Sequence, residues 1–413
     1  MDTPDVLATY PSTVSPRVSR SRAVRSVRWQ VKAVAYALLA GFTLASLEGL
    51  AYVYLRTFEG YDGTHLLTYE FDPYKNIQLT PNYRNTRGIY HNSQGFRETT
   101  DTSLQKPPGT YRIFFMGGST AYGLGSLSAI GQERYAIIRN DQTIDYYLEQ
   151  YLNGMLPGKR IEVINAAITS HQSHHHLIYL NQTILKYSPD MVVFLDGFND
   201  YYAYEKDFDQ FRDYAYQERA HTFLAAPTVA AWLYYSGWWL FRKSHLFYLT
   251  SKAIYPVWQR LHRTGSPGRN RINLDQALAN LRVNAENNFF RIVQRKALIL
   301  KHEGVVPVFA LQPELVFTQR KVLTEMERKI YGEMANHWQE NYVEFKNRAR
   351  PIVRDYMERA ARNEDFAFFD LTDVFSGMAE DAYTDYTHLT PMGNRRLAEV
   401  LGARILPLIR QTL

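Results

Sequence analysis

The chain has 413 residues, 46% hydrophobic and 21% charged, which excludes wholesale disorder and leaves ample apolar material for a buried core. It contains no cysteine, so thiol nucleophiles, disulfide frameworks, thiolate zinc sites and Cys-ligated iron–sulfur clusters are excluded. The net charge of +6 is unevenly placed: residues 1–32 hold six basic side chains against two acidic ones, and the rest hold 41 against 39. A nucleic-acid binder spreads positive charge over its folded surface; this chain keeps it in a tail, so no nucleic-acid partner is expected.

That tail (Arg17, Arg20, Arg22, Arg25, Arg28, Lys32) precedes a run, residues 33–55, with one charge, Glu48. As a helix the run spans about 34 Å, enough for a hydrocarbon core of about 30 Å. Trp29 lies just before it and Tyr52 and Tyr54 near its end, where aromatic belts form. With all the basic residues on the N-terminal side, the positive-inside rule predicts a single-pass membrane protein. Residues 1–32 would be a cytoplasmic tail, and everything after Arg56 would be periplasmic or extracellular. The competing reading is a signal peptide cut at a small-x-small site around Gly49 and Ala51. Ala33, Ala37, Gly41, Ala45 and Gly49 recur every four residues, with Glu48 at their border. Such a stripe lets a second membrane helix approach closely, so a membrane-protein partner is expected there besides the bilayer.

Residues 56–110 are rich in turn chemistry (Asp72-Pro73, Thr80-Pro81-Asn82, Pro107-Pro108-Gly109) and read as a linker that packs on the main domain. A regular alternation begins at residue 111. Short apolar runs at 112–117, 161–167, 191–197, 305–312 and 366–372 are separated by helical patterns, among them 141–152, 273–301 and the charged stretch 316–362. Five buried strands with helical crossovers predict a parallel α/β sheet covered on both faces. Ligands of such sheets bind at the carboxyl ends of the strands, so the informative residues follow each run.

After the first run comes Gly117-Gly118-Ser119-Thr120, a turn on which a serine can expose its Oγ while its own N–H points where an oxyanion would form. Alone this is ordinary turn chemistry. After the second comes Asn165-Ala166-Ala167-Ile168-Thr169-Ser170, and after the third Gly197-Phe198-Asn199-Asp200. The Asn199 amide can donate to the same oxyanion; the plainer alternative is a helix cap. Past the last strand lies Asp385-Tyr386-Thr387-His388-Leu389-Thr390-Pro391. Residues three apart on one helical turn share a face, so Asp385 can hold the His388 ring and free Nε2 to take a proton from a serine. Thr390 and Pro391 are expected to cap and open a closing helix to about Arg410. Gly117-x-Ser119-x-Ala121 also approaches a nucleophile elbow, but Ser119 follows the first strand of the domain and the acid and histidine are only three residues apart.

With these four blocks in this order, residues 111–413 resemble the SGNH (GDSL-type) hydrolase superfamily, apart from an insertion at about 201–270. The resemblance implies a flavodoxin-like three-layer α/β/α sandwich with strand order 2-1-3-4-5. It implies catalytic Ser119, Asp385 and His388, an oxyanion hole from Ser119, Ser170 and Asn199, and no cofactor or metal. The stretch Asn92-Ser93-Gln94-Gly95-Phe96-Arg97 before the Gly-Gly-Ser-Thr block is similar to membrane-anchored members linked to surface-glycan modification. An acylated glycan substrate is therefore implied, with hydrolysis and O-acyl transfer both open. Two positions depart from the pattern. Gly118 stands where the family usually has Asp, and Ser170 stands at the oxyanion-hole glycine, where positive φ is costlier for a side chain. A catalytically silent subunit of a membrane complex is the competing class.

Two further segments carry expectations. His171, His174, His175 and His176 lack metal-ligand spacing and read as a satisfied or solvated cluster near the site. The insertion holds an uncharged aromatic stretch at 223–241, suited to a bilayer surface, a lid, a docking face or a small helical subdomain.

Overall fold

The computed structural model describes residues 19–413 except 73, 201–235, 238, 263–272, 318–319 and 338–340. Most of the insertion, the start of the basic tail and the expectations attached to them therefore lie outside the described residues. Helix α1 (Ser19–Tyr54) is continuous over 36 residues, so the later part of the basic segment shares one axis with the apolar run. From Trp29 to Leu50 every residue is exposed except the half-buried Glu48, whereas Ala51 and Leu55 are buried. The stretch Arg28–Glu59 is long and apolar enough to cross a membrane, and it passes through a π-helical turn, Leu55–Glu59.

The following residues form two antiparallel hairpins, β1 (Tyr69–Asp72) with β2 (Asn76–Leu79) and β3 (Arg84–Asn85) with β4 (Ile89–Tyr90). The segment then drives Phe96 into the main domain, where its ring centroid lies 5.5 Å from Phe114 and 5.3 Å from Tyr187. The adjacent Arg97 is also buried. Its N–H donates to Asn165 O, and its guanidinium donates to the carbonyls of Tyr122, Gly123 and Ile138. Three carbonyl acceptors and the Tyr122 ring, 4.3 Å from the guanidinium carbon, make a buried cation tolerable here.

The main sheet contains β5 (Thr110–Gly117), β6 (Arg160–Asn165), β7 (Met191–Asp196), β8 (Val306–Leu311) and β9 (Ala367–Asp370). They are hydrogen-bonded in the order β6-β5-β7-β8-β9, every pair parallel. Counted in chain order this is 2-1-3-4-5, a flavodoxin-like arrangement. All residues of β5 and β7 are buried, as strands covered on both faces must be.

β5 is followed by α2 (Ser119–Tyr122), α3 (Ala129–Tyr135) and α4 (Ile144–Met155), and β6 by α5 (Ser173–Gln182). After β7 come α6 (His245–His262), α7 (Leu274–Asn284) and α8 (Arg291–His302). After β8 come α9 (Glu325–His337) and α10 (Tyr342–Glu364), and after β9 the closing helix α11 (Pro391–Thr412). Helices α4 and α11 pack together on one side of the sheet; α5, α8 and α10 cover the other. Helix α8 shows why: it buries Ile292, Val293, Lys296, Ala297 and Leu300, a stripe at helical spacing. As read from the sequence, Thr390 accepts the Gly393 N–H and Pro391 opens α11.

Replacing Phe96 by Ala leaves a cavity between the N-terminal segment and the sheet, which should cost about 3–5 kcal/mol. Urea unfolding of the purified protein should show a lower midpoint with an unchanged slope.

Candidate active site

The four blocks meet at the carboxyl ends of the strands. Ser119 is the first residue of α2, directly after β5 and Gly118. Its Oγ lies 2.8 Å from His388 Nε2, and His388 Nδ1 lies 2.7 Å from Asp385 Oδ2. With the carboxylate as acceptor, Nδ1 carries the proton and Nε2 is left to accept the serine proton. Ser119 is half-exposed, whereas His388 and Asp385 are buried.

The acid and histidine do not share a helical turn, as their spacing suggested. They lie in a loop closed by the Tyr383–Leu389 bridge and by Thr384 N donating to His388 O at 2.8 Å. What brings them together is the carboxylate itself. Asp385 Oδ1 accepts the N–H groups of Thr387 and His388, each at 2.9 Å, and Oδ2 accepts that of Leu127 at 2.8 Å. Burial alone would raise the Asp385 pKa; the His388 charge and these hydrogen bonds outweigh it and hold the group below the ordinary aspartate value. It therefore stays ionised to orient the ring.

Three supports were not assigned from the sequence. Gln312, just after β8, donates its amide to Thr120 Oγ1 (3.1 Å) and Thr387 Oγ1 (2.7 Å), tying the nucleophile turn to the histidine loop. The buried Glu327 carboxylate accepts the N–H groups of Ala382 (2.8 Å) and Tyr383 (3.2 Å) and pairs with Lys321 at 2.6 Å. Ser126 Oγ donates to Thr384 O at 2.7 Å. Of these, only Gln312 had a sequence signal, its place at the end of an apolar run. The other two depend on contacts more than 50 residues apart in the chain.

Asn199 lies against the turn that carries Ser119. Its Nδ2 donates to His171 O at 2.8 Å, and its backbone carbonyl accepts Gln172 Nε2 at 2.7 Å. One amide hydrogen is thereby held. A Cβ added at Gly118 would come within 2.5 Å of Asn199 Nδ2. Asn199 thus approaches too closely for a side chain at position 118. Ser170 adopts φ 64°, the left-handed region, which costs a non-glycine residue roughly 1–2 kcal/mol. Its turn is held beside the nucleophile by Ile168 N donating to Gly117 O and by the Asn199–His171 bond.

Below this wall the four histidines are buried, not solvated. Burial lowers His174 to about 3 and depresses His171 and His175 as well, keeping them neutral. His171 Nε2 meets Ile77 O at 3.0 Å and His175 Nδ1 accepts the Gln172 N–H at 3.0 Å. His176 lies 3.0 Å from Asp196, which also pairs with the buried Lys296 at 3.2 Å. Burial alone would raise Asp196, but Lys296 and His176 outweigh it and hold it low. Its neighbour Asp200 is pushed up to about 8 by burial and by the Asp196 charge. Asp200 accepts the Ser173 N–H at 3.0 Å, at the start of α5. Among the described residues, no group of His, Asp and Glu is arranged to hold a metal ion.

The 2-1-3-4-5 sheet and the four blocks at its carboxyl edge decide the architecture. The fold is the flavodoxin-like α/β sandwich that the resemblance to the SGNH hydrolases implies. No protein-family profile and no curated protein matches the chain. Among solved structures, similarity extends to an acetylxylan esterase, Axe2, from Geobacillus stearothermophilus, at 13% identity over 71% of this chain and 94% of that one, with a TM-score of 0.35. TesA is 14% identical over 72% and 99% of the two chains, with a TM-score of 0.35. A GDSL-like lipase from Bacteroides thetaiotaomicron is 12% identical over 73% and 89%, with a TM-score of 0.31. At such TM-scores likeness decides nothing further; the fold rests on the strand order and the site on its side chains.

Gly118→Ala and Ser170→Gly should act in opposite directions. The first displaces Asn199 and should cut esterolysis by about a hundred- to thousandfold, the loss of one oxyanion donor. The second relieves the positive φ and should raise stability by about 1 kcal/mol, read from thermal unfolding, without loss of rate. Asp200 carries a pH signature. A carboxyl raised to about 8 in the folded state contributes stability that is present below its unfolded pKa of about 4 and lost as pH rises towards 8. Asp200→Asn keeps the acceptor for Ser173 and should flatten the melting temperature against pH over that window.

Proposed function

We propose that the chain is a membrane-anchored serine esterase whose domain faces away from the cytoplasm and removes O-acyl groups from a surface polysaccharide. The observation that carries this reading is the continuous hydrogen-bonded line Ser119 Oγ, His388 Nε2, His388 Nδ1, Asp385 Oδ2, with contacts of 2.8 and 2.7 Å. Ser119 Oγ adds to the ester carbonyl as its proton passes to His388 Nε2. The oxyanion is held by the Ser119 N–H, the second Asn199 amide hydrogen and the Ser170 N–H. Protonation of the leaving sugar oxygen by His388 breaks the ester and leaves an acyl group on Ser119. Water, deprotonated by the same imidazole, then releases the acid and restores the serine.

The anchor is supported by the exposed apolar surface of α1, and the outward orientation by the charge imbalance that precedes it. The carbohydrate substrate is supported by the resemblance of residues 92–97 to glycan-modifying members. Those residues also brace the nucleophile turn through Arg97. A Ser119–His388 pair already at hydrogen-bond distance counts against the catalytically silent subunit.

A fluorophosphonate probe should add one equivalent to the intact protein, seen by mass, and none to Ser119→Ala. Asp385→Asn should lower p-nitrophenyl acetate hydrolysis by roughly 10⁴. No adduct in a folded, solvent-accessible protein would overturn the assignment.

A further inference from the structure

Glu48, the one charge in the apolar run of α1, is not left to lipid. Its carboxylate accepts Ser244 Oγ–H at 2.8 Å and the N–H groups of His245 (2.6 Å) and Leu246 (3.1 Å), and lies 2.6 Å from His245 Nδ1. These are donors at the open N-terminus of α6, so the membrane helix caps α6 from outside. The rings of Tyr52, Tyr61 and His245 gather beside the cap, with centroids 5.2–5.9 Å apart. Further along both helices Lys252 meets Glu59 at 2.9 Å, so α6 runs from the level of Glu48 in the same outward direction as α1.

A separate helical segment precedes α6. Residues 239–243 are helical, Ser244 N donates to Leu240 O at 2.7 Å, and Tyr248 N donates to Ser244 O at 3.0 Å. Leu240 is thus one turn from the residue that hydrogen-bonds Glu48. At that height α1 exposes Leu44, Leu47 and Leu50, while the second element exposes Trp239 (61%), Leu240 (40%) and Phe247 (38%). Lys243 lies between Leu240 and Phe247 in the chain and is also exposed. The exposed stretch of α1 from Trp29 to Leu50 is about 33 Å long and matches the hydrocarbon thickness. Its outer end therefore falls beside Glu48, Trp239 and Leu240. Tryptophan, leucine and lysine at one level are the composition of a bilayer interface.

We propose that residues 239–247 are a second membrane contact, with Trp239, Leu240 and Phe247 seated in the outer bilayer interface beside α1 and Lys243 among the headgroups. The occupant of this face is lipid, because α6 packs on α1, whose exposed apolar stretch ends beside the Glu48 cap; the inference rests on the reading that α1 crosses the bilayer. Because α6 points outward, contact with the bilayer shallows along it. The two attachments, joined by the Glu48 cap, fix the orientation of the domain on the membrane.

The cysteine-free sequence allows single cysteines at Leu240, Phe247 and Ile254 of the full chain to carry one spin label each without background. The labelled protein is placed in nanodiscs of phosphatidylethanolamine and phosphatidylglycerol. Collisional access to oxygen and to a nickel chelate is then compared, with Leu39→Cys as the lipid reference and Asp355→Cys as the water reference. The expected result is several-fold preference for oxygen at position 240, a smaller one at 247, and values near the water reference at 254. If 240 and 247 match the water reference while 39 reads lipid, the contact is refuted and the span stands. If 39 also reads water, the span fails and the contact with it. If neither reagent reaches 240, protein covers the face and the lipid assignment is wrong.

Discussion

The site depends above all on one buried carboxylate. Asp385 accepts three backbone N–H groups and the His388 ring N–H, filling the acceptor capacity of an ionised aspartate. Two of the donors shape its own loop and one, Leu127, belongs to the segment that follows the nucleophile turn. A single group thereby folds the loop, orients the imidazole and docks both against the domain. An unpaired charge at this depth would be strongly unfavourable, so the carboxylate is stable only when every one of these parts is in place.

Other buried charges have the same logic. Glu327 with Lys321 supports the start of the histidine loop, and Lys346 with Glu314, 3.1 Å apart, lies where β8 gives way to the segment bonded to Tyr386. Lys296 sits between Asp196 and the Ser173 hydroxyl under the Asn199 wall. Replacing such pairs by apolar groups often leaves stability unchanged or higher, whereas removing one partner is costly. Their value here is positional. Each pair fixes a loop that has no regular secondary structure of its own at a strand end where atoms must be placed within a fraction of an ångström. Glu48 applies the same rule in α1, where an acidic side chain in an apolar run gains hydrogen bonds from the start of α6.

Much of this was legible in the linear chain. The five apolar runs fall within a few residues of the five strands, because a strand buried on both faces must be continuously apolar. Ser119, Asn199, Asp385 and His388 could be picked out because parallel sheets present their chemistry just after each strand. The helical reading of Asp385 and His388 did not hold, since spacing alone cannot tell a helical turn from a loop closed by a carboxylate on its own backbone.

The sequence by itself thus determined the sheet, the order of its blocks, the residue types at the site and the long apolar helix, all set by local composition and period. Tertiary structure alone decided what those residues meet. It placed Gly118 against the Asn199 amide, forced Ser170 into positive φ, recruited Gln312 and Glu327 as supports, and set Glu48 on the N-terminus of α6. Each of these joins parts of the chain that no local pattern relates, because buried polar groups must find partners wherever the fold supplies them.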